Sequence, residues 1–264
     1  VGAVDAPVMR ERHTRIPIIP GSSLKGVLAE KWLDRENGRP ERSSDGIWLF
    51  GNTAADTASA GALLIGEART LAFPVRSAKN GFAWITCPLV LNRYKRDTHS
   101  DFSVPQPDND NCCFASEKVS VQQKVILEEY SYSVEGAVDH DLVEKLRTLS
   151  DDAVWGELGD HLVVVTDGIF CHFAEQACEI VTRVRIDDET GTVAEGALFN
   201  QEQVPSETLF YAAVDAQDEK TGAEARRSAA DALQQLESKL SEEPVLQVGG
   251  DETTGLGLCS VKLV

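Results

Sequence analysis

The sequence predicts an α+β fold. Runs typical of strands and runs typical of helices follow one another in short groups, without the regular strand–helix alternation of a doubly wound parallel sheet. The chain has 264 residues, 42% of them hydrophobic, and can therefore bury a sizeable core. It shows no internal repeat. The length fits one large domain or two small ones joined tightly, and we expect the former, a single domain over residues 1–264.

The first clear element lies within residues 16–32, where the sequence changes character at Gly21. Before this glycine, a β-branched run broken by prolines indicates an extended segment that enters a turn. After it, apolar residues fall on one helical face, and Ser22 and Ser23 are placed to cap the helix. These hydroxyls and Lys25 at a helix N-terminus suit an anion, because the dipole, the free amides and the ammonium all favour negative charge. The alternative is a capped helix with a solvated lysine.

The middle of the chain is rich in strand-like runs. Apolar residues that alternate or run continuously between turn formers are typical of strands, whereas apolar residues three or four apart are typical of helices. We predict a short apolar element at 47–52, strands within 60–77, 81–91 and 124–134, a helix at 140–149, and a buried strand from 161 that runs into a helix continuing to 180. The segment at about 95–118 has little periodicity, which predicts a flexible insertion.

Residues 181–199 contain the clearest predicted hairpin. Arg183 and Arg185 alternate with apolar residues on the first strand, and residues 187–191 supply the turn. Because side chains alternate across a strand, the two arginines are expected on one face.

The remaining C-terminal segment contains a strand, a helix and a glycine-rich loop. The strand is predicted at 208–214 and the helix at 223–240, on the spacing of their apolar residues. The loop at 249–257 lacks the lysine of a phosphate-binding loop and leads into a strand, which excludes the Walker and dinucleotide-binding motifs. Its glycines instead allow the backbone to approach another chain or a ligand closely.

The charge of the chain limits its partners. A formal net charge of −18 at pH 7, taken alone, argues against nucleic acid, because proteins that neutralise phosphates usually carry a basic footprint. The basic residues are unevenly spread, however, with one cluster at 10–15 and another at 93–96. A single basic face is therefore compatible with the acidic total.

Cysteine usage and hydropathy indicate the compartment. The six cysteines form no C-x-x-C pair, which favours reduced thiols over a zinc ribbon or a disulfide framework. No apolar run approaches the ~20 residues that cross a bilayer, and no charged leader precedes an apolar stretch. We therefore expect a cytoplasmic protein without a membrane partner.

Several separate motifs occur in a characteristic order. They read VDAPVMRERHTRIPIIPGSSLKGVLAEKW, LFGN, AGALLIGEA, FPVRS, FAWITCPLVLNR, TGTVAEGALF and VGGDETTGLGLCSV. In this order they closely resemble the RAMP superfamily, and within it the repeated backbone subunits of type III-B CRISPR (Cmr) effector complexes. The resemblance extends from Val1 to Val264 and leaves only the mid-chain loops unmatched.

The resemblance implies a fold and a set of partners. The fold would be a modified ferredoxin-like, RRM-like core with a projecting β-hairpin called the thumb, here at about 183–205. Copies of the chain would stack along one crRNA together with other subunits of the effector complex. Each thumb would cross the duplex of guide and target single-stranded RNA and displace a base pair. The target would then be cleaved at regular intervals.

The resemblance also assigns RNA-binding residues. Ser22, Ser23 and Lys25 would hold crRNA phosphates, and the loop with Gly255 and Gly257 would lie against RNA backbone. Because the chain is acidic overall, its positive potential is expected in a groove lined by Lys25 and three arginines, Arg76, Arg183 and Arg185. Leu198 and Phe199 are candidates to displace bases, and packing in the core is their alternative.

A catalytic residue follows from the same resemblance. The family relies on an aspartate in the loop before P-x-x-R-E, and Asp5 matches it. Its carboxylate could bind a divalent metal ion, Mg²⁺ or Mn²⁺, or accept the proton of the attacking 2′-OH, with Glu202 as a possible helper. Without the resemblance, an aspartate before Ala-Pro would be interpreted as a turn-capping residue.

The sequence is also compatible with two other functions. The first is a purely structural crRNA-binding backbone subunit, since Gln201 and Gln203 stand where the family often carries acidic and tyrosine residues. The second is an unrelated small-molecule enzyme that uses the glycine-rich loop. That enzyme would need a cluster of acid–base residues, and the sequence shows none.

Overall fold

The computed structural model describes residues 4–34, 40–52, 59–187, 189–220 and 226–264. The chain divides into two compact units. The first comprises residues 1–18, 69–147 and 152–211, and the second comprises residues 19–68, 148–151 and 212–264. One domain over residues 1–264 stays a prediction.

The strands are given in chain order. They are β1 (Ile18–Ile19), β2 (Leu33–Asp34), β3 (Glu41–Arg42), β4 (Gly51–Asn52), β5 (Ser59–Ala60), β6 (Leu63–Ile65), β7 (Ala68–Ser77), β8 (Gly81–Thr86), β9 (Cys112–Ala115), β10 (Lys124–Leu127), β11 (Tyr130–Gly136), β12 (Leu162–Val164), β13 (Glu179–Ile186), β14 (Val193–Gln203), β15 (Leu209–Tyr211), β16 (Val214–Ala216), β17 (Val245–Gln247) and β18 (Leu258–Ser260).

The α-helices are also given in chain order. They are α1 (Gly21–Glu30), α2 (Ser44–Phe50), α3 (Pro88–Asp97), α4 (His140–Arg147), α5 (Leu158–His161), α6 (Asp167–Gln176) and α7 (Ala229–Glu242). Helix α4 was predicted correctly. Helix α6 was also predicted, but it ends at Gln176 instead of continuing to 180, because the chain there enters β13.

The first unit is built on one mixed sheet. Its pairing runs β7–β10–β11–β9–β12–β8, and β8 pairs again with β7. Only β11–β9 and β12–β8 are parallel among these pairs. The core beneath it includes Phe73, Trp84 and Phe170, which are fully buried. The predicted mixture of helices and largely antiparallel strands is confirmed, whereas the ferredoxin-like description stays a prediction.

Two predicted strands of this sheet were too long. The strand at 81–91 ends at Thr86, because Pro88 occupies the first position of α3, where its missing N–H costs nothing. The strand at 124–134 is a hairpin of β10 and β11, which turns at Glu128 with a φ of +50°. The turn carries no glycine or asparagine, so local sequence gave no signal for it.

The segment at about 95–118 contains a strand and buried side chains, and its flexibility stays a prediction. Strand β9 lies inside the sheet between β11 and β12, and Cys113 is fully buried. Phe102 is also buried and packs near Tyr94, with ring centroids 6.3 Å apart. Tertiary pairing therefore orders residues that lack local periodicity.

The second unit contains α1, α2, α7 and short strand pairs. Strand β6 pairs antiparallel with β16, and β17 pairs antiparallel with β18. A Cβ on Gly21 would lie 2.8 Å from the carbonyl oxygen of Ile65, so the start of α1 requires glycine. Helix α7 begins at Ala229 behind a capping box of Ser228 and Asp231. The predicted start at residue 223 lies outside the described residues.

The cysteines and the apolar character of the helices can be compared with the predictions from composition. All six cysteines are free thiols, as predicted. Within the described ranges, no helix has the length and apolar character to cross a membrane.

Candidate functional site

The hairpin of β13 and β14 carries the candidate site. Its strands pair from Glu179 opposite Gln203 to Ile186 opposite Val193, with a register shift between 184 and 186. It begins before the predicted boundary of 183. At its base, the Thr182 hydroxyl donates to the side-chain oxygen of Asn200, 2.8 Å away. The turn is stabilised by the Asp187 carboxylate, which accepts the backbone N–H groups of two following turn residues.

Large apolar side chains are exposed on this hairpin. Leu198 is 65% exposed and Phe199 is 40% exposed, and Val184, directly opposite Leu198, is 48% exposed. Both Leu198 and Phe199 therefore lie outside the core, and the core-packing alternative is wrong. Exposed apolar side chains that cluster on one hairpin are typical of a contact surface. A two-stranded hairpin is also only marginally stable by itself, so contact with a partner would stabilise it.

The two hairpin arginines both lie on β13. Arg183 is half-buried and stands opposite Phe199 in the strand register. Arg185 belongs to β13, but its side chain lies outside the described residues. Their expected position on one face stays a prediction.

Asp5 lies against the base of the hairpin. One of its carboxylate oxygens accepts the backbone N–H of Asn200 at 2.8 Å, and its own N–H donates to the Asn200 carbonyl at 3.0 Å. The next residue, Ala6, forms a parallel bridge with Gln201. The Asp5 side chain is nonetheless exposed. The N-terminal loop thus lies along β14 and presents a carboxylate to solvent.

The carboxylate of Glu202, the expected helper of Asp5, is engaged within the protein. One of its carboxylate oxygens lies 2.6 Å from Nη2 of Arg10, and the other accepts the backbone N–H of Val8 at 3.0 Å. The side chains of Arg10 and Glu202 are only 3% and 11% exposed. Both oxygens thus already have donors within the protein, and a helping role for Glu202 stays a prediction.

Arg10 also connects the ion pair to helix α6. Its Nη1 donates to the carbonyl oxygens of Arg15 and Ala174, each at 2.7 Å, and its Nη2 lies 3.1 Å from Sγ of Cys178. Burial raises the pKa of the Cys178 thiol, although Arg10 opposes this shift. The Cys178 thiol therefore stays protonated and neutral. The positive charge of the neighbouring Arg10 guanidinium is balanced by the Glu202 carboxylate.

The donor set fits only a weakly held metal ion. Within the described residues, no group of three or more His, Cys, Asp or Glu side chains could hold one. Asp5 supplies one exposed carboxylate, and Glu202 is engaged. Mg²⁺ is commonly held by one or two carboxylates, with substrate phosphates and water completing its ligands. The residues therefore fit an ion that RNA would help to bind.

The second unit places three candidate residues at the start of α1. Ser22 and Ser23 lie inside the first turn and are exposed, and Lys25 is half-buried. The N-cap is Pro20 and no side chain caps the helix, so the predicted serine cap is wrong. The N–H groups of the first three helical residues lack intrahelical acceptors and can donate to an anion.

Arg76 is the penultimate residue of strand β7 and is highly exposed. Its side chain is 76% exposed, and its Nε lies 3.3 Å from a carboxylate oxygen of Glu128. Exposed ion pairs of this kind contribute about 0–1 kcal/mol. The guanidinium can therefore exchange this partner for a phosphate at little cost.

The glycine-rich loop joins β17 to β18, as predicted. Gly255 and Gly257 have φ values of +80° and +74°. A Cβ on Gly257 would lie 2.1 Å from the carbonyl oxygen of Val248, whereas a Cβ on Gly255 would enter open space. Gly257 is thus required by the fold of the loop, and Gly255 leaves backbone open to a neighbour.

Within the first unit, the structure brings Asp5 to the hairpin that carries Arg183. Ser22, Ser23, Lys25, Gly255 and Gly257 belong to the second unit. The predicted common groove stays a prediction. Sequence analysis missed the Arg10–Glu202 pair, since partners 192 positions apart leave no local pattern.

Comparison with known proteins identifies similar chains. The RAMP superfamily model matches residues 1–260. The chain is 35% identical to "CRISPR system Cmr endoribonuclease Cmr4" of Pyrococcus furiosus over 272 aligned residues, which cover 100% of this chain and 89% of that protein.

Two solved structures extend the comparison. The crystal structure of oligomeric Cmr4 from Pyrococcus furiosus superposes with a TM-score of 0.73 at 30% identity, covering 99% of this chain and 91% of that one. A chain of the type III-B Cmr-beta complex bound to cognate target RNA gives a TM-score of 0.71 at 19% identity, covering 99% and 92%. At that identity the second likeness shows the fold alone.

Proposed function

The chain belongs to the RAMP superfamily, and we propose that it is a crRNA-binding backbone subunit of a type III CRISPR effector that cleaves complementary target RNA. The observation that carries this proposal is the 35% identity, along the whole chain, to a protein named a Cmr endoribonuclease. An exposed Asp5 carboxylate at the base of an exposed apolar hairpin supports it. Its partners would be crRNA, single-stranded target RNA, further copies of itself and other effector subunits, in the cytoplasm.

The hairpin of β13 and β14 is the proposed thumb, and the first unit would contain the ferredoxin-like core. Leu198 and Phe199 are exposed and apolar, so they can displace or stack on bases without leaving a hole in the core. Asp5 is tied to Asn200 on the same hairpin. A displaced base and the cutting carboxylate would therefore be held by one element.

The proposed reaction is an internal transesterification of RNA. The 2′-oxygen next to a displaced base attacks the adjacent phosphorus and forms a 2′,3′-cyclic phosphate. The bond from phosphorus to the 5′-oxygen breaks, and that oxygen takes up a proton as the 5′-OH. Displacement of the base supplies the in-line geometry, which the stacked duplex does not allow.

Asp5 has two possible roles in this step. Its exposed carboxylate can accept the 2′-OH proton, which is general base catalysis, or it can hold a divalent ion. Mg²⁺ or Mn²⁺ would supply relief of phosphate charge when bound. In either role Asn200 orients the carboxylate through its backbone N–H.

The remaining candidate residues are proposed to bind the guide. Ser22, Ser23 and Lys25 would hold phosphate at the uncapped start of α1, and Gly255 and Gly257 would lie against RNA backbone. The arginines Arg76, Arg183 and Arg185 would add positive charge along the RNA path. These contacts would confine the basic potential to one groove of an acidic chain.

The second candidate is a structural backbone subunit without cleavage activity. Gln201 and Gln203 bring no charge to the hairpin base, and Glu202 is engaged by Arg10. Whether the chain cleaves RNA or only binds it would then depend on the Asp5 carboxylate.

A small-molecule enzyme is not favoured by the described residues. The cleft of about 500 Å³ in the second unit is lined by two tryptophans, Trp32 and Trp48, and by polar side chains that include Arg227 and Asp231. Arg227 pairs with Asp45 and Glu219, and Asp231 belongs to the capping box of α7. The described lining of this cleft contains no histidine or cysteine, and the charged side chains of Arg227 and Asp231 serve the fold.

The proposal is tested by reconstitution. The chain is assembled with a guide RNA and the other effector subunits, and labelled complementary RNA is added with Mg²⁺, with Mn²⁺ or with a chelator. We expect regularly spaced products in either metal, none with the chelator, and none from a non-complementary RNA. Target binding without products in either metal would establish the structural backbone subunit instead.

A further inference from the structure

We propose that Arg10 and Glu202 are positioning residues of the cleavage site: their ion pair locks the loop that carries Asp5 onto the base of the hairpin. This inference rests on the proposed function, since it assigns the pair a role in the same reaction. Neither residue touches the RNA in this assignment. Both would act through the placement of the Asp5 carboxylate.

The Arg10–Glu202 ion pair is buried and makes further hydrogen bonds within the first unit. The side chains of Arg10 and Glu202 are 3% and 11% exposed, and the closest contact between them is 2.6 Å. Arg10 also donates to the carbonyl oxygens of Arg15 and Ala174. A buried pair becomes costly when one partner is removed, because the other charge then stays in the interior uncompensated. The pair is therefore a fixed point of the first unit.

The connection from this pair to Asp5 is short and consists of direct hydrogen bonds. Glu202 accepts the N–H of Val8 through its carboxylate, and its own N–H donates to the carbonyl oxygen of Ala6 at 2.9 Å. Asp5 directly precedes Ala6 and bonds to Asn200, two positions before Glu202. The loop is thus held to β14 at residues 5, 6, 8 and 10, on both sides of Pro7.

The loop is also held by main-chain hydrogen bonds from Asp5 and Ala6 to the Asn200 carbonyl oxygen, and from the Ile18 N–H to the Met9 carbonyl oxygen. The side chains of residues 5, 6 and 7 are exposed, so packing contributes little to the position of the Asp5 carboxylate. If the Glu202 carboxylate is neutralised, the anchors at Val8 and Arg10 weaken together. A displacement of about 1 Å at a reacting group can cost about 100-fold in rate. Cleavage should therefore be far more sensitive to this pair than RNA binding is.

The test compares Glu202→Gln with Glu202→Asp in the complete effector complex. Three quantities are measured: the single-turnover rate constant at saturating target, the Kd values for guide and target, and the amide hydrogen exchange of a peptide spanning residues 4–10. Asp97→Asn is the matched control, because it breaks a partly buried ion pair with Arg69 in the same unit, away from Asp5. The melting temperature of every variant is recorded.

We expect Glu202→Gln to lower the rate constant about 100-fold, to leave both Kd values within about threefold, and to speed exchange at residues 4–10. Glu202→Asp, which keeps the charge, should recover part of the rate, and Asp97→Asn should cleave normally even if it melts at a lower temperature. Cleavage by Glu202→Gln at the wild-type rate, or equal losses in Glu202→Gln and Asp97→Asn, would overturn the inference. A wild-type complex that never cleaves refutes the proposed function, whereas unchanged exchange in Glu202→Gln refutes the positioning role by itself.

Discussion

The backbone N–H of Asn200 donates a 2.8 Å hydrogen bond to the carboxylate of Asp5. The bond links the proposed cutting residue to the hairpin whose exposed Leu198 and Phe199 are proposed to displace a base. A carboxylate tied in this way moves with the hairpin. We therefore expect that a movement of the hairpin that displaces a base also changes the position of the Asp5 carboxylate relative to the scissile phosphate.

Asp5→Ala should reduce cleavage at every site by about 10²–10⁴-fold, the range over which a general base contributes. Guide binding, target binding and filament length should not change, because the Asp5 side chain is exposed and adds little to the fold. Asp5→Asn is the matched variant, since its amide oxygen can still accept the Asn200 N–H while it carries no charge. Single-turnover assays on both variants decide the role, and wild-type cleavage by either would remove Asp5 from the reaction.

Phe199→Ala and Leu198→Ser should disturb the regular spacing of products without lowering the melting temperature. Both side chains are exposed, so their loss opens no cavity. Loss of an aromatic stacking partner should weaken target binding by about 1–3 kcal/mol. Val121→Ala, which removes an exposed apolar side chain elsewhere in the first unit, is the control. An unchanged product ladder in both hairpin variants would show that the hairpin displaces no base.

Lys25→Ala should weaken guide retention and reduce its dependence on salt. One lost phosphate contact lowers the slope of log K against log salt by about 0.7 for a single strand. Guide binding is measured by filter retention between low and physiological salt. Lys262→Ala serves as the control, because Lys262 pairs with Asp151 in the same unit. An equal change of slope in the two variants would mean that α1 holds no specific phosphate.

Gly257→Ala should destabilise the glycine-rich loop more than Gly255→Ala. Both residues have positive φ, which costs an L-residue about 1–2 kcal/mol, or about 2–8 °C in melting temperature for a chain of this size. Only Gly257 adds a clash, at 2.1 Å from the Val248 carbonyl oxygen. Differential scanning calorimetry on the two variants measures the difference. Equal melting temperatures would show that the loop relaxes around the added methyl group.

The Arg93–Glu11 pair should set part of the acid stability. Burial tends to raise the pKa of Glu11, but hydrogen bonds from Thr14 and Arg93 outweigh it and hold the pKa below 4.5. A lowered carboxyl pKa gives stability that is present above the unfolded pKa and is lost as the pH falls through the folded pKa.

Arg93→Gln should therefore shift the acid unfolding midpoint to higher pH, because the effect of burial on the pKa of Glu11 is then opposed only by Thr14 and His13. Arg147→Gln is the control, since its partner Glu144 is 50% exposed and such pairs contribute little. The midpoint is followed by circular dichroism between pH 2 and pH 7. Identical midpoints in Arg93→Gln and the wild type would contradict the assignment.

Features that depend on neighbouring residues could be predicted from the amino-acid sequence. The turn of the hairpin follows from Asp187, whose carboxylate accepts N–H groups two and three residues later. The glycine-rich loop between two strands follows in the same way from its glycines, and the order of the motifs was enough to identify the superfamily. Local backbone preference and short-range hydrogen bonds act within a few residues, so these features are legible in the chain.

Tertiary structure decided which of the recognised side chains are available. Glu202 looked like a helper of Asp5, yet Arg10, 192 positions away, occupies its carboxylate. Leu198 and Phe199 looked equally suited to a core or a surface, and their exposure depended on the hairpin forming its own two-stranded sheet instead of joining the larger one. Burial and long-range ion pairing are properties of the assembled fold, and a local pattern of residue types does not specify them.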